Sequence, residues 1–237
     1  CVGLDPDIEK LPGHLPKTPE GVLEFCVHIV EATLPYTVAY KLNSAFFEAL
    51  GAGGWQVMEI LFKHLKAKGV YSIADAKRAD IGNTSAQYAK AFFEMMEADA
   101  ITLSPYMGED SIAPFLQYPD KAAILLALTS NPGHADFEMR TLENGKKLYE
   151  QVLETSQGWP RKGALMYVVG ATRGALLAEI RAKCPDAFFL VPGVGAQGGS
   201  LKEVSEMGMN KQIGLLVNAS RSVIYAGNGE DFATKAA

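Results

Sequence analysis

Long apolar runs are missing from this chain. None reaches the roughly 20 residues that a membrane-spanning helix needs, and no signal peptide is visible, so no membrane partner is expected. Cysteine is scarce: Cys1, Cys26 and Cys184 are odd in number and widely spaced. That pattern argues against a disulfide framework or a zinc site and for a reducing, cytoplasmic setting. A basic stripe is absent as well. The net charge is −5 and the two signs are interspersed, which excludes nucleic acid as an expected partner. The four histidines, His14, His28, His64 and His134, are scattered without metal-ligand spacing, so no metal is expected from them. Also absent is the glycine-rich turn that a dinucleotide fold places directly after an early strand; Gly3-Leu-Asp-Pro does not supply it. No linker rich in Pro, Ser or Gly divides the chain.

What is present is regular alternation. Short apolar β-type runs fall at residues 1–4, 37–42, 70–75, 100–103, 122–128, 165–169, 187–191 and 214–217. Helical patterns lie between them at 20–33, 55–68, 84–97, 111–116, 146–155, 173–183 and 200–207. Apolar residues there recur at three and four, as in Val57, Ile60, Leu61 and Leu65. Strict alternation implies parallel strands covered by helices. Eight strands in 237 residues predict a single (β/α)8 barrel over residues 1–237, with a doubly wound open sheet as the alternative. The chain starts in a strand already under way and ends in what reads as a helix cut short, so it is expected to be trimmed at both ends.

Barrel ligands bind at the carboxyl ends of the strands, and polar residues collect there. Strand 1 runs into Asp5. Strand 2 runs into Lys41 and Asn43, two apart and so on one face. Strand 3 enters Ile73-Ala-Asp75-Ala-Lys77-Arg-Ala-Asp80-Ile-Gly-Asn-Thr84. Asp75 and Lys77 alternate onto one face, and Asp80 follows once the chain has turned. Burying such charges costs several kcal/mol per ion unless they pair well. A lysine among carboxylates keeps its proton, which suits a general acid and disfavours imine chemistry, which needs a depressed lysine pKa. A surface ion pair at a strand end is the plainer reading of the same residues.

Strand 5 runs into Thr129-Ser130-Asn-Pro-Gly133, a turn in which Ser130 is the functional candidate. Strand 7 runs into Pro192-Gly193-Val-Gly195-Ala-Gln197-Gly198-Gly199, and strand 8 into Asn218-Ala-Ser-Arg221. A glycine-rich loop lets backbone N–H groups approach an anion, and arginine offers a forked donor set for phosphate. These two loops frequently form a barrel's phosphate site. A flexible turn and a surface arginine would explain each separately. Thr84-Ser-Ala-Gln87 fits a capping box with Thr84 as N-cap. Phe46, Phe47, Phe92 and Phe93 read as core packing.

These segments resemble the orotidine 5′-phosphate decarboxylase family over nearly the whole length. Asp75-Ala-Lys77-Arg-Ala-Asp80-Ile-Gly-Asn-Thr84 matches that family's signature. Thr129-Ser-Asn-Pro-Gly133, Val169-Gly-Ala-Thr172 and the glycine-rich segment resemble its longer bacterial subgroup. The resemblance implies a cofactor-free and metal-free barrel that converts orotidine 5′-phosphate to UMP and CO2 in de novo pyrimidine biosynthesis. It also implies a homodimer with shared active sites. Lys77 would protonate C6 of the pyrimidine, Asp75 would lie beside the substrate carboxylate, and Lys41 would join the network. Asp80, Ile81 and Thr84 would reach in from the partner chain. Asp5 would bind ribose, Ser130 the pyrimidine, and Gln197 with Arg221 the phosphate; Pro192 would line the pocket and Asn43 would contact substrate. Ala79 departs from the pattern, standing where glycine is expected. Two other readings stay open: a related Mg²⁺-dependent phosphosugar lyase such as a hexulose-phosphate synthase, which shares the Asp-x-Lys-x-x-Asp pattern, and a non-catalytic phosphoribosyl-ligand sensor on the same barrel.

Overall fold

A computed structural model describes residues 1–171, 174–194 and 200–237. Its eight strands are β1 (Val2–Leu4), β2 (Ala39–Asn43), β3 (Tyr71–Arg78), β4 (Ala100–Leu103), β5 (Ala122–Leu128), β6 (Ala164–Val169), β7 (Phe189–Pro192) and β8 (Leu215–Asn218). They form one sheet whose order is the chain order. Helices follow the strands in turn, and this is the (β/α)8 topology expected from the alternation. The strands are short and mostly buried, as parallel strands covered on both faces must be. Among the described residues, no helix is long and apolar enough to cross a membrane.

The chain divides into two compact units. The first comprises Cys1–Ala76, Lys90–Ile101 and Ala219–Ala237. In it β1, β2 and most of β3 pair in parallel, with Gly3 opposite Lys41 and Asn43 opposite Asp75. Val2 bridges Ala219, and the Gly3 N–H donates to the Ala219 carbonyl at 2.7 Å. Helix α1 (Pro19–Thr33) starts where the Thr18 hydroxyl accepts from the Gly21 N–H and Pro19 occupies the first turn, both standard start signals. Its buried stripe is Val22, Phe25, Cys26, Ile29 and Val30. Phe25 stacks on Phe232 of the last helix, Phe232–Ala236, at 5.1 Å between ring centres.

Two expectations need correcting here. The short helix α2 (Ser44–Glu48) leads almost directly into α3 (Gly51–Ala67), which starts four residues before the predicted 55. The added turn contains Gly54, which serves a close contact. A Cβ at Gly54 would lie 1.8 Å from the Phe47 carbonyl oxygen, so only glycine lets the two helices meet. The buried face of α3 is Val57, Met58, Leu61, Phe62 and Leu65, while Ile60 is 48% exposed. Spacing alone admits either set.

The second unit comprises Lys77–Ala89 and Thr102–Asn218. It carries the parallel run from β5 to β8, with α4 (Gly82–Ala89), α5 (Glu109–Leu116), α6 (Leu148–Gln157), α7 (Gly174–Lys183) and α8 (Leu201–Gly208). Thr84 is the third residue of α4 rather than its N-cap. The turn before α4 is closed instead by Ser85, whose hydroxyl donates to the Asp80 carbonyl at 2.7 Å. The pattern predicted over 84–97 is α-helical only to Ala89 and continues as a wider π-helical turn over Lys90–Met95, which buries Phe92 and Phe93.

Arg181 on α7 holds the far ends of the last strands. Its guanidinium is buried over the Phe189 ring at 3.8 Å. It donates to the carbonyls of Gly208 (2.8 Å), Cys184 (3.0 Å), Ala187 (2.6 Å) and Gly214 (2.8 Å). Burial first of all depresses its pKa, so the carbonyl fork carries the cost of keeping it charged. A buried carbonyl left unsatisfied costs about 1–3 kcal/mol. Arg181→Leu is therefore expected to lose at least about 2 kcal/mol in urea unfolding, with Arg181→Lys recovering only part, because an ammonium lacks the fork. Unchanged midpoints in both variants would show that the loops hold themselves.

Candidate active site

In the first unit, three charges meet at the carboxyl ends of β1, β2 and β3. Lys41 is 4% exposed. Its ammonium donates to Asp75 Oδ2 at 2.7 Å and faces Asp5 Oδ1 at 3.7 Å, the second an ion pair beyond hydrogen-bond length. The register explains the meeting. Lys41 pairs with Ile73, and Asn43 pairs with Asp75, so Lys41, Asn43 and Asp75 share one face, and the lysine chain reaches one level forward. Burial alone would drive the Lys41 pKa down. Asp75 and then Asp5 outweigh it and hold the group above the ordinary lysine value.

Asn43 also starts α2, its side-chain oxygen accepting from the Ala45 N–H at 3.3 Å. Arg221 begins the short helix α9 (Arg221–Ile224) and is exposed.

In the second unit, Lys77 has φ +47°, a left-handed backbone uncommon for any residue but glycine. The alternation argument that paired it with Asp75 assumed extended backbone throughout and did not foresee this. The Lys77 N–H donates to the buried Thr102 hydroxyl at 3.0 Å, and the Ser104 N–H donates to the Arg78 carbonyl at 3.0 Å. Strain of this kind persists only where surroundings over-determine it, and it clusters at functional positions. Ala79 does not have a positive φ, so the residue that replaces the expected glycine meets no backbone conflict. Asp80 Oδ1 accepts from the Ile81 N–H at 2.8 Å, and the Ile81 side chain stands out into solvent, 61% exposed.

Ser130 follows β5 by two residues, and Pro192 closes β7 opposite Asn218. Gln197 lies outside the described residues, as do the other residues from 195 to 199 and Thr172. Among the described residues no group of three or more His, Cys, Asp or Glu could hold a metal ion. The histidines make local contacts: His14 and His28 lie against Phe232, His64 pairs with Glu31 at 3.0 Å, and His134 Nδ1 lies 2.6 Å from the Asn131 carbonyl oxygen. Sequence reasoning missed Thr102, which supports Lys77, and Glu138, which holds the start of the loop after β5. Neither lies in a motif, and both act through hydrogen bonds to backbone far away in sequence or across a loop.

A family model described as Orotidine 5′-phosphate decarboxylase / HUMPS family matches residues 1–236. The chain belongs to this family. It is 54% identical over 238 residues to a Flavobacterium johnsoniae protein named orotidine 5′-phosphate decarboxylase, covering 100% of this chain and 87% of that protein. A Porphyromonas gingivalis protein of the same name is also 54% identical, over 239 residues, with the same coverage of both chains. Among solved structures, Leishmania donovani OMP decarboxylase superposes with a TM-score of 0.87 at 40% identity, covering 99% of this chain and 89% of that one. Leishmania donovani UMP synthase gives 0.88 at 42% identity over 99% of this chain, which spans only 51% of that chain's length.

The Lys41 cluster makes a pH-dependent prediction. With its raised folded-state pKa, the stability Lys41 contributes is present throughout the neutral range and is lost only as pH climbs through that raised value. Lys41→Met leaves Asp75 and Asp5 facing each other without a cation. Breaking a buried pair typically costs about 3–5 kcal/mol, so the variant should melt well below wild type at pH 7. Like charges raise carboxylate pKa values, so the deficit should shrink toward pH 4 as one of them takes up a proton. A deficit independent of pH would show that packing, not charge, is what Lys41 contributes.

Proposed function

We propose that this chain decarboxylates orotidine 5′-phosphate to UMP and CO2, without metal or cofactor, with Lys77 as proton donor. The observation that carries the reading is the buried Lys41 held between Asp75 and Asp5, with Lys77 two residues after Asp75 on β3 in a strained backbone. The names of relatives at 54% identity support the substrate and favour the decarboxylase over the phosphosugar lyase.

The chemistry follows from charge. The C6–carboxylate bond breaks, CO2 departs, and the electron pair stays on C6. A fixed ammonium stabilises that developing charge without reorganisation. Lys77 then gives a proton to C6 as general acid and is reloaded from solvent. Asp75 beside the scissile carboxylate would raise the ground state by like-charge repulsion. Asp5 would take ribose hydroxyls, Asn43 a substrate polar group, and Ser130 the pyrimidine edge. Arg221 with Gln197 would take the phosphate, and Pro192 would line the pocket. Binding energy from the remote phosphate can then be used at the reacting centre.

The same reading makes the protein a cytoplasmic homodimer in which Asp80, Ile81 and Thr84 serve the neighbouring copy's site. The exposed Ile81, on a turn pinned by Asp80 and Ser85, supports a contact with a second chain.

Loss of substrate absorbance in the presence of EDTA is the direct test. Turnover is expected to be unchanged by chelation; loss of activity restored by Mg²⁺ would favour the lyase, and tight UMP binding without turnover the sensor. Lys77→Ala and Lys77→Gly should both lose almost all turnover yet stay folded. The glycine variant should be more stable than the alanine variant by roughly 1 kcal/mol, because glycine takes a left-handed backbone without the Cβ penalty. Wild-type-like rates in either variant would remove Lys77 from the mechanism.

The dimer makes its own prediction. Lys77→Ala and Asp80→Ala proteins, each nearly inactive, are expected to regain activity when mixed and allowed to exchange subunits. A mixed dimer has one site with both defects and one with neither. Random pairing through an isologous interface makes about half the dimers mixed and restores roughly a quarter of wild-type activity. No recovery, with exchange verified by mass spectrometry, would place Asp80 in its own chain's site.

A further inference from the structure

The loop after β5 is tied at its base by a side chain that no motif contains. The Glu138 carboxylate accepts twice from Thr129: from the backbone N–H at 2.7 Å on Oε2, and from the hydroxyl at 2.8 Å on Oε1. The hydroxyl has one proton, and the carboxylate is its strongest acceptor within reach. The Asn131 side-chain oxygen lies 2.7 Å from the same hydroxyl. Glu138 is itself anchored, because its carbonyl accepts from the Tyr149 N–H in the first turn of α6 at 3.0 Å. A ten-residue segment from Thr129 to Glu138 is therefore closed into a ring whose fastening is one carboxylate on one threonine.

Ser130 is the next residue in that ring, and its other side is confined too. Gly170 follows β6, and its N–H donates to the Leu128 carbonyl at 2.8 Å. A Cβ at Gly170 would come within 2.8 Å of the Ser130 Cβ and 3.0 Å of its nitrogen. The Ser130 backbone is thus pressed against Gly170 on one side and held through Thr129 on the other. Neither neighbour is a loose end of a side chain that could yield.

We propose that Glu138 is a positioning residue, acting through Thr129 to hold Ser130 where it meets the pyrimidine. This rests on the decarboxylase reading of Ser130 and adds what sets its place. A site residue displaced by about 1 Å can cost on the order of 100-fold in rate, so a fastening two bonds long is sufficient to matter. The role is geometric rather than one of charge. Glutamine at 138 can accept from the Thr129 N–H and donate to the Thr129 hydroxyl, which then donates to Asn131. Alanine can do neither.

The test compares Glu138→Ala, Glu138→Gln and Thr129→Val, each alone and with Ser130→Ala, by kcat/KM on orotidine 5′-phosphate and by calorimetric affinity for UMP. Glu138→Ala is expected to lose about tenfold in kcat/KM and in UMP affinity, Glu138→Gln to stay within about threefold of wild type, and Thr129→Val to fall between. In the Ser130→Ala background the Glu138→Ala loss should shrink to less than about twofold, since residues acting as one unit are not additive. Full activity in Glu138→Ala would overturn the proposal, and so would an undiminished loss on top of Ser130→Ala. If Glu138→Ala fails to fold, Thr129→Val carries the same comparison. Failure of the parent reading looks different: wild type would bind UMP without turning over substrate, and the UMP affinities would still decide whether Glu138 acts through Ser130.

Discussion

The position of Lys41 constrains everything around it. An ammonium taken out of water costs several kcal/mol, and only close carboxylates make that burial tolerable. Two are supplied, Asp75 at 2.7 Å and Asp5 at 3.7 Å. They lie there because parallel pairing puts Asn43 opposite Asp75 and Gly3 opposite Lys41. A slip of one residue in β2 would turn Lys41 to the other face and leave two carboxylates in apolar surroundings. Register and charge therefore select each other. Counted by itself, the cluster carries one more negative charge than positive.

Much of this could be read from the residues alone. Eight apolar runs alternating with amphipathic segments specify the strand count, and all eight strands overlap their expected positions. The strand-end rule located Asp5, Lys41, Asn43 and Asp75, and the structure gathers them in one unit. Periodicity failed where a tertiary contact decided the outcome. The helix predicted from 55 takes in Gly51–Gly54 as well, and at Gly54 the Phe47 carbonyl comes so close that no Cβ would fit. Ile60 has core spacing and points outward, because α3 presents Met58 and Phe62 instead. Thr84 has the chemistry of a cap, yet α4 begins two residues earlier, after a turn that Ser85 closes through the Asp80 carbonyl. The left-handed backbone of Lys77 has no local signal, since lysine carries no preference for it.

The supporting residues share a reason for being illegible. Thr102, Glu138 and Arg181 each act by hydrogen bonds to backbone groups that sequence spacing does not bring near them. A backbone partner leaves no complementary residue type to search for, unlike an ion pair, where each charge predicts another. Motifs record the side chains that face a ligand, but a loop's placement is set by main-chain N–H and carbonyl groups, which every residue has. The distinction explains why strand-end candidates could be named from the sequence while Thr102, which accepts from the Lys77 N–H, and Glu138, which accepts from Thr129, could not.

The two lysines differ in a way that suits them to different tasks. Lys41 is buried, bonded to Asp75, and held above the ordinary lysine value. Such a group keeps its proton and its place. It is suited to fixing the field. Lys77 is exposed, and its backbone is held in a strained conformation by a hydrogen bond from its own N–H to Thr102. The main chain is thus fixed while the side chain stays exposed, as the proposed proton donor requires. The proposed protonation of a carbanion at C6 calls for both properties, and no single lysine combines full burial with exposure.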